Sequence, residues 1–221
     1  MDTRKGADGS LFLFLSMNDG WILIKRVHAM TTDVNFEKII DGLEQYGPLS
    51  QGLRNSLLKL LTLRNAARGE LILQAGKKPD RLWFLVDGFA KEVSSGEKAK
   101  RISWFYLPGD LMNSYPSFFN QLPAFRDIEM ITKGTVTEVL YRDLVILRQE
   151  FEEMNTIIDL ARDHCEIQRA RYASRMHTLS ARERYDKFYS EHPILFNVAK
   201  HKDITSFLGI KADSFSRFYK G

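Results

Sequence analysis

Between residues 68 and 142 the sequence is divided into short apolar runs by turn-forming residues. The runs are ELILQAG, RLWFLVDGFAKEVS, KRISWFYLPGD and IEMITKGTVTEVLYR. They are separated by Gly76 with Pro79, SSG (94–96), Pro108–Gly109 and Pro123. Glycine and proline favour backbone conformations that end strands. About eight short strands fit into this stretch, which predicts a small antiparallel barrel or roll of the jelly-roll type.

The positions of the histidines bear on whether such a barrel is an enzyme. A metal enzyme of the cupin type holds its ion with histidines and a carboxylate that project from the strands. All five histidines lie outside residues 68–142, at positions 28, 164, 177, 192 and 201. The sequence also offers no Ser-His-Asp constellation and no glycine-rich phosphate loop. We therefore expect no enzymatic activity, no catalytic residue, no metal and no cofactor.

The cysteine content and the N-terminus bear on the compartment. The single cysteine, Cys165, forms no intrachain disulfide, which suits a reducing cytoplasm. The run LFLFL (11–15) is too short for a signal peptide or a membrane span. Met30 opens MTTDVNFEKII, which reads like a protein start, so residues 1–32 are expected to be an extension that is poorly ordered or not native. The sequence leaves open whether Met1 or Met30 is the start.

Helical patterns flank the predicted roll on both sides. From Asp33 to about Leu63, apolar residues recur every three or four positions, which predicts two short helices broken by YGPLS (46–50). After the strands, a stripe with alternating spacings of three and four predicts a long helix from about Arg148 to His177. The stripe consists of Phe151, Met154, Ile158, Ala161, Cys165, Gln168 and Tyr172. This face packs either on the protein's own roll or on a second copy, and its length and regularity favour a dimer seam.

The C-terminal part combines positive charge with a pair of short helices. Residues 161–221 carry 12 Lys and Arg against 7 Asp and Glu, whereas residues 1–160 carry 20 against 21. This asymmetry favours a polyanionic partner. Ser180 and Glu183 have the spacing of a capping box, and Gly209 separates a helix over 201–208 from one that begins at Ala212. That is the spacing of a helix-turn-helix.

In its order of parts the chain resembles the Crp/Fnr family of bacterial transcription regulators over roughly residues 35–221. The resemblance is carried by RGELILQAGKKPDRLWFLVDGFAKE (68–92), LPGD (107–110) and ITSFLGIKADSFSRFYKG (204–221), and RERYDKFYSEHPIL is similar to a branch common in Bacteroidetes. It implies an α+β fold. An antiparallel, cyclic-nucleotide-binding-like β-roll would cover residues 33–147, a dimerisation helix 148–178 and a winged-helix-type helix-turn-helix domain 179–221.

The resemblance also implies which residues bind DNA. In family members the first turns of the last helix read base edges, and the matching positions here include Asp213, Ser214 and Arg217. Arg217 can bind guanine O6 and N7, Asp213 can accept from cytosine N4, and Ser214 can bond to a base or a phosphate. The lysines expected to neutralise phosphates are Lys202, Lys211 and Lys220. The alternative is that Asp213 or Ser214 caps the helix and Arg217 is a solvated surface charge.

The ligand loop departs from the family pattern. Members that bind cyclic nucleotides present a Gly-Glu pair and then an Arg-Ser/Thr-Ala stretch. Here the pair reads Asn113–Ser114, and Arg126 is displaced by two residues from the expected arginine. A cyclic phosphate would lack its main charge-assisted bonds, so cyclic AMP is not the expected effector. The residues predicted to line an effector pocket are Met112, Asn113, Ser114, Tyr115, Phe125 and Arg126, although the aromatic residues of this loop can equally fill the roll.

Together these observations predict a homodimeric, cytoplasmic, DNA-binding transcription regulator whose effector is unknown or absent. The expected partners are double-stranded DNA, a second copy of the chain, RNA polymerase and, where an effector exists, a small molecule. No membrane is expected. The alternative is a ligand-binding regulator that acts on a protein partner without binding DNA.

Overall fold

The computed structural model describes residues 2–5, 11–17, 20–26, 36–37, 39–95 and 100–219. Near the N-terminus, β1 (Asp2–Lys5), β2 (Leu11–Met17) and β3 (Gly20–Arg26) pair as an antiparallel sheet in the order β1-β2-β3. These strands fall within residues 1–32, where the sequence predicts an extension that is poorly ordered or not native.

Eight strands form a roll between residues 62 and 140 of the described chain. They are β4 (Thr62–Ala66), β5 (Leu71–Leu73), β6 (Arg81–Asp87), β7 (Ala90–Ser95), β8 (Lys100–Tyr106), β9 (Leu111–Met112), β10 (Arg126–Met130) and β11 (Gly134–Leu140). Two four-stranded sheets have the orders β5-β10-β7-β8 and β4-β11-β6-β9. The number of strands agrees with the prediction, but β4 begins inside a stretch predicted as helix, because Leu61 turns extended and the next residues pair with β11.

The interior of the roll is apolar, and two neighbouring strands of one sheet, β6 and β11, approach closely at one glycine. The core side chains there include Leu85, Met112, Ile128 and Val136, all 0% exposed. A Cβ atom added to Gly134 would lie 2.1 Å from the carbonyl oxygen of Asp87 in the neighbouring β6, so the chain path at this point requires glycine.

Helices pack against the outside of the roll and form a second core. They are α1 (39–44), α2 (Gln51–Leu60), α4 (Tyr141–Glu150) and α5 (Glu152–Thr178), and α3 (Ser117–Asn120) lies between β9 and β10. The side chains of Leu53, Leu147 and Ile157 are almost fully buried there. The long helix predicted from about Arg148 begins instead at Glu152, because Phe151 takes an extended conformation and separates it from α4.

The C-terminal part consists of α6 (Ala181–Glu191), α7 (Leu195–Val198), α8 (His201–Leu208) and α9 (Ala212–Tyr219). The predicted capping box is present, since the Ser180 side chain accepts from Glu183 N and the Glu183 side chain accepts from Ser180 N. Among the described residues after α5, every element is a helix. No strand pair forms a wing in the described part of this segment, where the apolar residues follow helical spacing, so the predicted winged-helix type is not observed there.

A third core joins the C-terminal helices to the outer face of β7 and β8. It contains Val93, Ile102 and Phe105 from the roll, together with Phe188 and Phe207 from α6 and α8. The C-terminal helices thus dock on the roll as well as on α5. No helix in the described ranges is long and apolar enough to cross a membrane.

Candidate functional site

A fully buried glutamate lies where the roll meets helix α5. Strand β7 turns Lys91 towards α8 and the adjacent Glu92 inward, with Glu92 0% exposed. The Glu92 carboxylate lies 2.6 Å from Arg169 Nη2 of α5 and 3.2 Å from Arg126 Nη1 of β10. The hydroxyl oxygen of Tyr106 lies 3.4 Å from the same carboxylate. One buried negative charge is therefore shared by two guanidinium groups.

The charges of this cluster perturb its members. Burial is the largest influence on the Arg169 guanidinium and by itself would lower its pKa, but the Glu92 carboxylate, together with Tyr106 and Cys165, outweighs burial and the pKa is raised. Burial, aided by the Glu92 charge, raises the pKa of Tyr106 well above its usual value, so its hydroxyl stays protonated and donates to Asn113 O at 2.9 Å. The ion pairs and polar contacts of this cluster connect β7, β8, β10 and α5.

The structure separates the six residues predicted to line an effector pocket. Met112 is 0% exposed within the roll core, and Ser114 is also buried. Asn113 lines a cavity of about 440 Å³ between the 108–110 turn and α5. Tyr115, Phe125 and Arg126 line a second cavity, of about 730 Å³. Met112 therefore belongs to the roll core, because its strand position points it into the roll, while the other predicted residues are divided between the two cavities and the buried Ser114.

Arg169 borders both cavities, since it projects from α5 between them. Asn113 Nδ2 lies 3.9 Å from the sulfur of Cys165, while Asn113 Oδ1 is buried and has no hydrogen-bond partner among the described residues. Burial raises the pKa of the Cys165 thiol, which keeps it protonated at neutral pH. The end of the roll next to α5, here called the mouth of the roll, thus offers a buried acceptor, Asn113 Oδ1, and the partly exposed guanidiniums of Arg126 and Arg169.

The stripe predicted as a dimer seam faces the protein's own roll. Met154 and Ala161 are 3% and 4% exposed, and Ile158 and Phe151 pack at the edge of the same helical core. Farther along α5, Cys165, Gln168 and Tyr172 also face the chain's own roll or C-terminal helices. This is a correction to the predicted seam, because the roll and α8 already occupy that face.

A different face of α5 is exposed. Leu160 is 46% and Ile167 50% exposed, and they stand one heptad apart. With Thr156, Asp163, Ala170 and Ser174, which are also exposed, they form a stripe with alternating spacings of four and three. We call these six residues the outer α5 stripe. Its spacing is that of a coiled-coil seam.

Helices α8 and α9, here called the terminal helix pair, are held by an apolar interior. Gly209 lies between them with φ 61° and ψ 38°, and Ile210 N donates to Thr205 O at 3.0 Å. Ile204 and Phe215 are 0% and 3% exposed, in a core shared with Tyr185. The left-handed residue at the turn closes α8 and redirects the chain into α9.

Most residues predicted to bind DNA lie on the outside of the terminal helix pair. Lys202, Lys211, Asp213 and Arg217 are exposed, and Ser214 is half-buried. Arg217 Nη2 donates to Ser214 Oγ at 3.3 Å. Lys220 lies outside the described residues. The side chains of Asp213 and Arg217 therefore lie on the solvent side of α9, opposite the buried Phe215.

Polar contacts fix α8 to the roll. Lys91 Nζ lies 2.9 Å from Asp203 Oδ2, with side chains only 12% and 10% exposed. The amide of Ile102 donates to Ser206 Oγ at 3.1 Å, and the rings of Phe105 and Phe207 meet edge to face with centroids 5.1 Å apart. These contacts, like the Glu92 cluster, were not predicted from sequence. A glutamate at an inward position of β7 is the one sequence signal that could have revealed the cluster.

Comparisons with known proteins identify the fold. The sequence matches no protein-family model and no curated protein. The structure is similar to a cyclic nucleotide-binding domain from Methylobacillus flagellatus, with a TM-score of 0.59, 15% identity, and coverage of 67% of this chain and 87% of that one. It is also similar to CLP, a c-di-GMP-responsive global regulator of Xanthomonas campestris, with a TM-score of 0.60, 14% identity, and coverage of 77% and 90%.

A third similar structure is FixK2 from Bradyrhizobium japonicum, with a TM-score of 0.60, 20% identity, and coverage of 72% of this chain and 83% of that one. The chain therefore has the fold of cyclic nucleotide-binding-domain proteins, among which are regulators of gene expression. At these identities the likeness establishes the fold, and the function is argued from the residues.

Proposed function

We propose that the protein is a homodimeric, DNA-binding transcription regulator of Crp/Fnr type. The observation that carries the proposal is the terminal helix pair, in which Phe215 anchors α9 while Asp213 and Arg217 face solvent. A helix held on one side and polar on the other can enter the major groove with its first turns. The exposed guanidinium of Arg217 suits guanine, and the exposed carboxylate of Asp213 suits cytosine.

Charge supports a nucleic-acid partner at this end of the chain. Lys202 lies near the start of α8 and Lys211 lies just before α9. Both are exposed, as is Arg217 of the same terminal helix pair. Lysines at such positions neutralise phosphates and release counterions, so binding would weaken with added salt. Phosphate contacts would position the terminal helix pair, and the contacts of Arg217 and Asp213 would specify bases.

Dimerisation is proposed to use the outer α5 stripe. Helix α5 has 27 residues, which corresponds to a length of about 40 Å. Leu160 and Ile167 expose about half of their surfaces on it, one heptad apart. Pairing of two such helices would bury both side chains and relate two terminal helix pairs by a two-fold axis. A two-fold related protein reads a palindromic site whose half-sites are about one DNA turn apart.

An effector of unknown identity is proposed to act at the mouth of the roll. Arg126 and Tyr115 line the 730 Å³ cavity there, and Arg169 links that cavity to α5. The charge of Arg126 is balanced internally by Glu92, which is a poor arrangement for a cyclic phosphate and agrees with the expectation that cyclic AMP is not the effector. A ligand at Arg126 or Arg169 would alter the tie between β7 and α5 and shift the dimer between arrangements.

The proposal is tested by selecting bound duplexes from a random DNA pool at near-physiological salt. The wild-type chain is compared with Arg217→Ala and with Arg142→Ala, whose side chain is 80% exposed on α4, remote in sequence from α9. We expect a two-fold symmetric motif for the wild type, the same motif for Arg142→Ala, and relaxed preference at one base of each half-site for Arg217→Ala. An identical motif in all three proteins would remove Arg217 from its role.

Absence of any enriched sequence for the wild-type chain would contradict DNA recognition. A pull-down with the same purified protein would then test the alternative of a protein partner.

A further inference from the structure

Arg184 of α6 directs its guanidinium at the ends of two other helices. Its Nε donates to Leu208 O at 2.9 Å and its Nη2 to Gly209 O at 3.3 Å. Its Nη1 donates to Leu179 O at 2.8 Å and to Met176 O at 3.3 Å. One side chain thus binds four main-chain carbonyl oxygens, two at the end of α5 and two at the end of α8.

Helix ends explain why an arginine suits this position. The last four carbonyl groups of a helix have no partner within the helix, and the C-terminus carries a partial negative charge. Leu179 is the C-cap residue of α5, and Gly209 is that of α8. The guanidinium offers five donors in one rigid plane, so it can serve both ends at once, whereas an ammonium on a flexible stem cannot hold the same geometry.

A second link joins the same two helices from the side. The ring of Tyr172, on α5, stacks on Phe207 of α8 with centroids 4.4 Å apart and planes 14° apart. The hydroxyl of Tyr172 donates to Phe207 O. Two contacts in different directions restrain a rotation that either alone would permit. The terminal helix pair is therefore held rigidly against the last third of α5.

We propose that Arg184 is a positioning residue that fixes the terminal helix pair to the end of α5 and thereby sets which separation of DNA half-sites the dimer accepts. This inference rests on the proposed function. If two copies pair through α5, the distance between the two α9 helices depends on the angle at the α5–α8 junction. A junction closed by four hydrogen bonds selects one distance, while a loosened junction accepts several.

The variants are made in the full chain. Arg184→Gln removes the charge and most of the donors, and Arg184→Lys keeps the charge but reaches fewer carbonyls. Arg171→Gln is the matched control, since Arg171 is an exposed arginine of α5. The first readout is amide hydrogen exchange. Arg184→Gln is expected to speed exchange of residues 205–210 at least tenfold, with a smaller change for Arg184→Lys and none for Arg171→Gln. Unchanged protection in Arg184→Gln overturns the inference.

The second readout is affinity for a series of palindromes that share one half-site and differ in half-site separation. The wild type and Arg171→Gln should prefer one separation by at least tenfold. Arg184→Gln should show less than a threefold preference while reading the same half-site sequence, a result that a general loss of stability does not produce. A retained separation preference overturns the proposed role. If the wild type binds no DNA, the proposed function and the half-site role fall together, and the exchange data alone decide whether Arg184 fixes the junction.

Discussion

The carboxylate of Glu92 and the guanidinium of Arg169 lie 2.6 Å apart and connect the roll to helix α5. The two residues are separated by 77 positions in the chain, so the pair forms only when the roll and the helix have come together. Arg169 also lies over the ring of Trp104, with its guanidinium carbon 5.2 Å from the ring centroid. The two contacts of Arg169 therefore tie the roll to the helix that leads to the terminal helix pair.

Replacing Glu92 by Gln should destabilise the protein, because it leaves the guanidiniums of Arg126 and Arg169 facing each other without their shared counter-charge. Both side chains keep some solvent exposure, so we expect a loss of about 2 kcal/mol, below the roughly 3–5 kcal/mol typical of fully buried pairs. The free energy of unfolding is measured by urea denaturation.

Two further variants of the chain make the Glu92 test specific. Glu150→Gln removes an exposed carboxylate from α4 and should change stability by less than about 0.5 kcal/mol. Combining Glu92→Gln with Arg169→Met should restore much of the loss, since the unpaired charge on α5 is removed as well. Equal stability of Glu92→Gln and the wild type would mean that the pair contributes nothing to folding.

Much of the secondary structure follows from local sequence signals. The eight strands lie between turn residues, the α6 cap forms at Ser180 and Glu183, and Gly209 ends α8. These features depend on neighbours within a few positions, which is the range that periodicity and capping rules describe. Local sequence also predicts which side of α9 is exposed, because Phe215 and Phe218 mark the side that packs on the protein.

The face of α5 that is free could not be predicted in the same way. The stripe from Met154 to Tyr172 and the outer α5 stripe both have heptad spacing, and only tertiary packing shows that the roll covers the first. The contacts of Glu92 with Arg126 and Arg169 likewise join three distant segments. No local pattern distinguishes a charged residue that finds a partner across the fold from one that faces water.

Changing Asp110 to Asn should stabilise the protein at neutral pH. Burial raises the pKa of the Asp110 carboxyl above its usual 3.8, while the hydrogen bond from Leu107 N, at 2.8 Å, acts against this. A carboxyl whose pKa is raised on folding favours the folded state below its unfolded pKa, and that contribution is lost as the pH rises through the folded pKa. Asparagine keeps the acceptor and carries no charge.

The difference in the free energy of unfolding between Asp110→Asn and the wild type should therefore be largest at pH 7. It should disappear as the pH falls towards 3.8. Urea denaturation at several pH values measures it. Asp87→Asn, at an exposed position on β6, is the control and should show no such trend. A difference that stays constant with pH would show that the charge of Asp110 is not its origin.

Charges on the outer α5 stripe should dissociate the proposed dimer. Leu160→Glu with Ile167→Glu places two carboxylates per chain on the proposed interface, and each lost apolar contact removes about 1 kcal/mol or more. We expect the dimer dissociation constant to rise at least 100-fold, measured by sedimentation equilibrium. Leu71→Glu is the control, because Leu71 is similarly exposed, at 48%, but lies on the roll. An unchanged dimer in the double variant would assign the interface to another face.

Replacing Gly209 by Ala should weaken the turn of the terminal helix pair for two reasons. Its φ of +61° is a left-handed conformation that costs an L-residue about 1 kcal/mol. An added Cβ atom would also lie 2.8 Å from the terminal methyl of Met176, a flexible group that can move aside at some cost to packing. We therefore expect a loss of about 1–2 kcal/mol in the free energy of unfolding, together with weaker binding to DNA in the proposed function.

Gly76→Ala separates these two causes. Gly76 has a similar positive φ of +83°, but a Cβ atom there would meet nothing within 4 Å, so the variant reports backbone strain alone. Its loss of stability should be smaller than that of Gly209→Ala, and its DNA affinity should equal that of the wild type, because the turn at Gly76 belongs to the roll. If Gly209→Ala costs no more than Gly76→Ala and binds DNA normally, the turn does not depend on close packing between α8 and the end of α5.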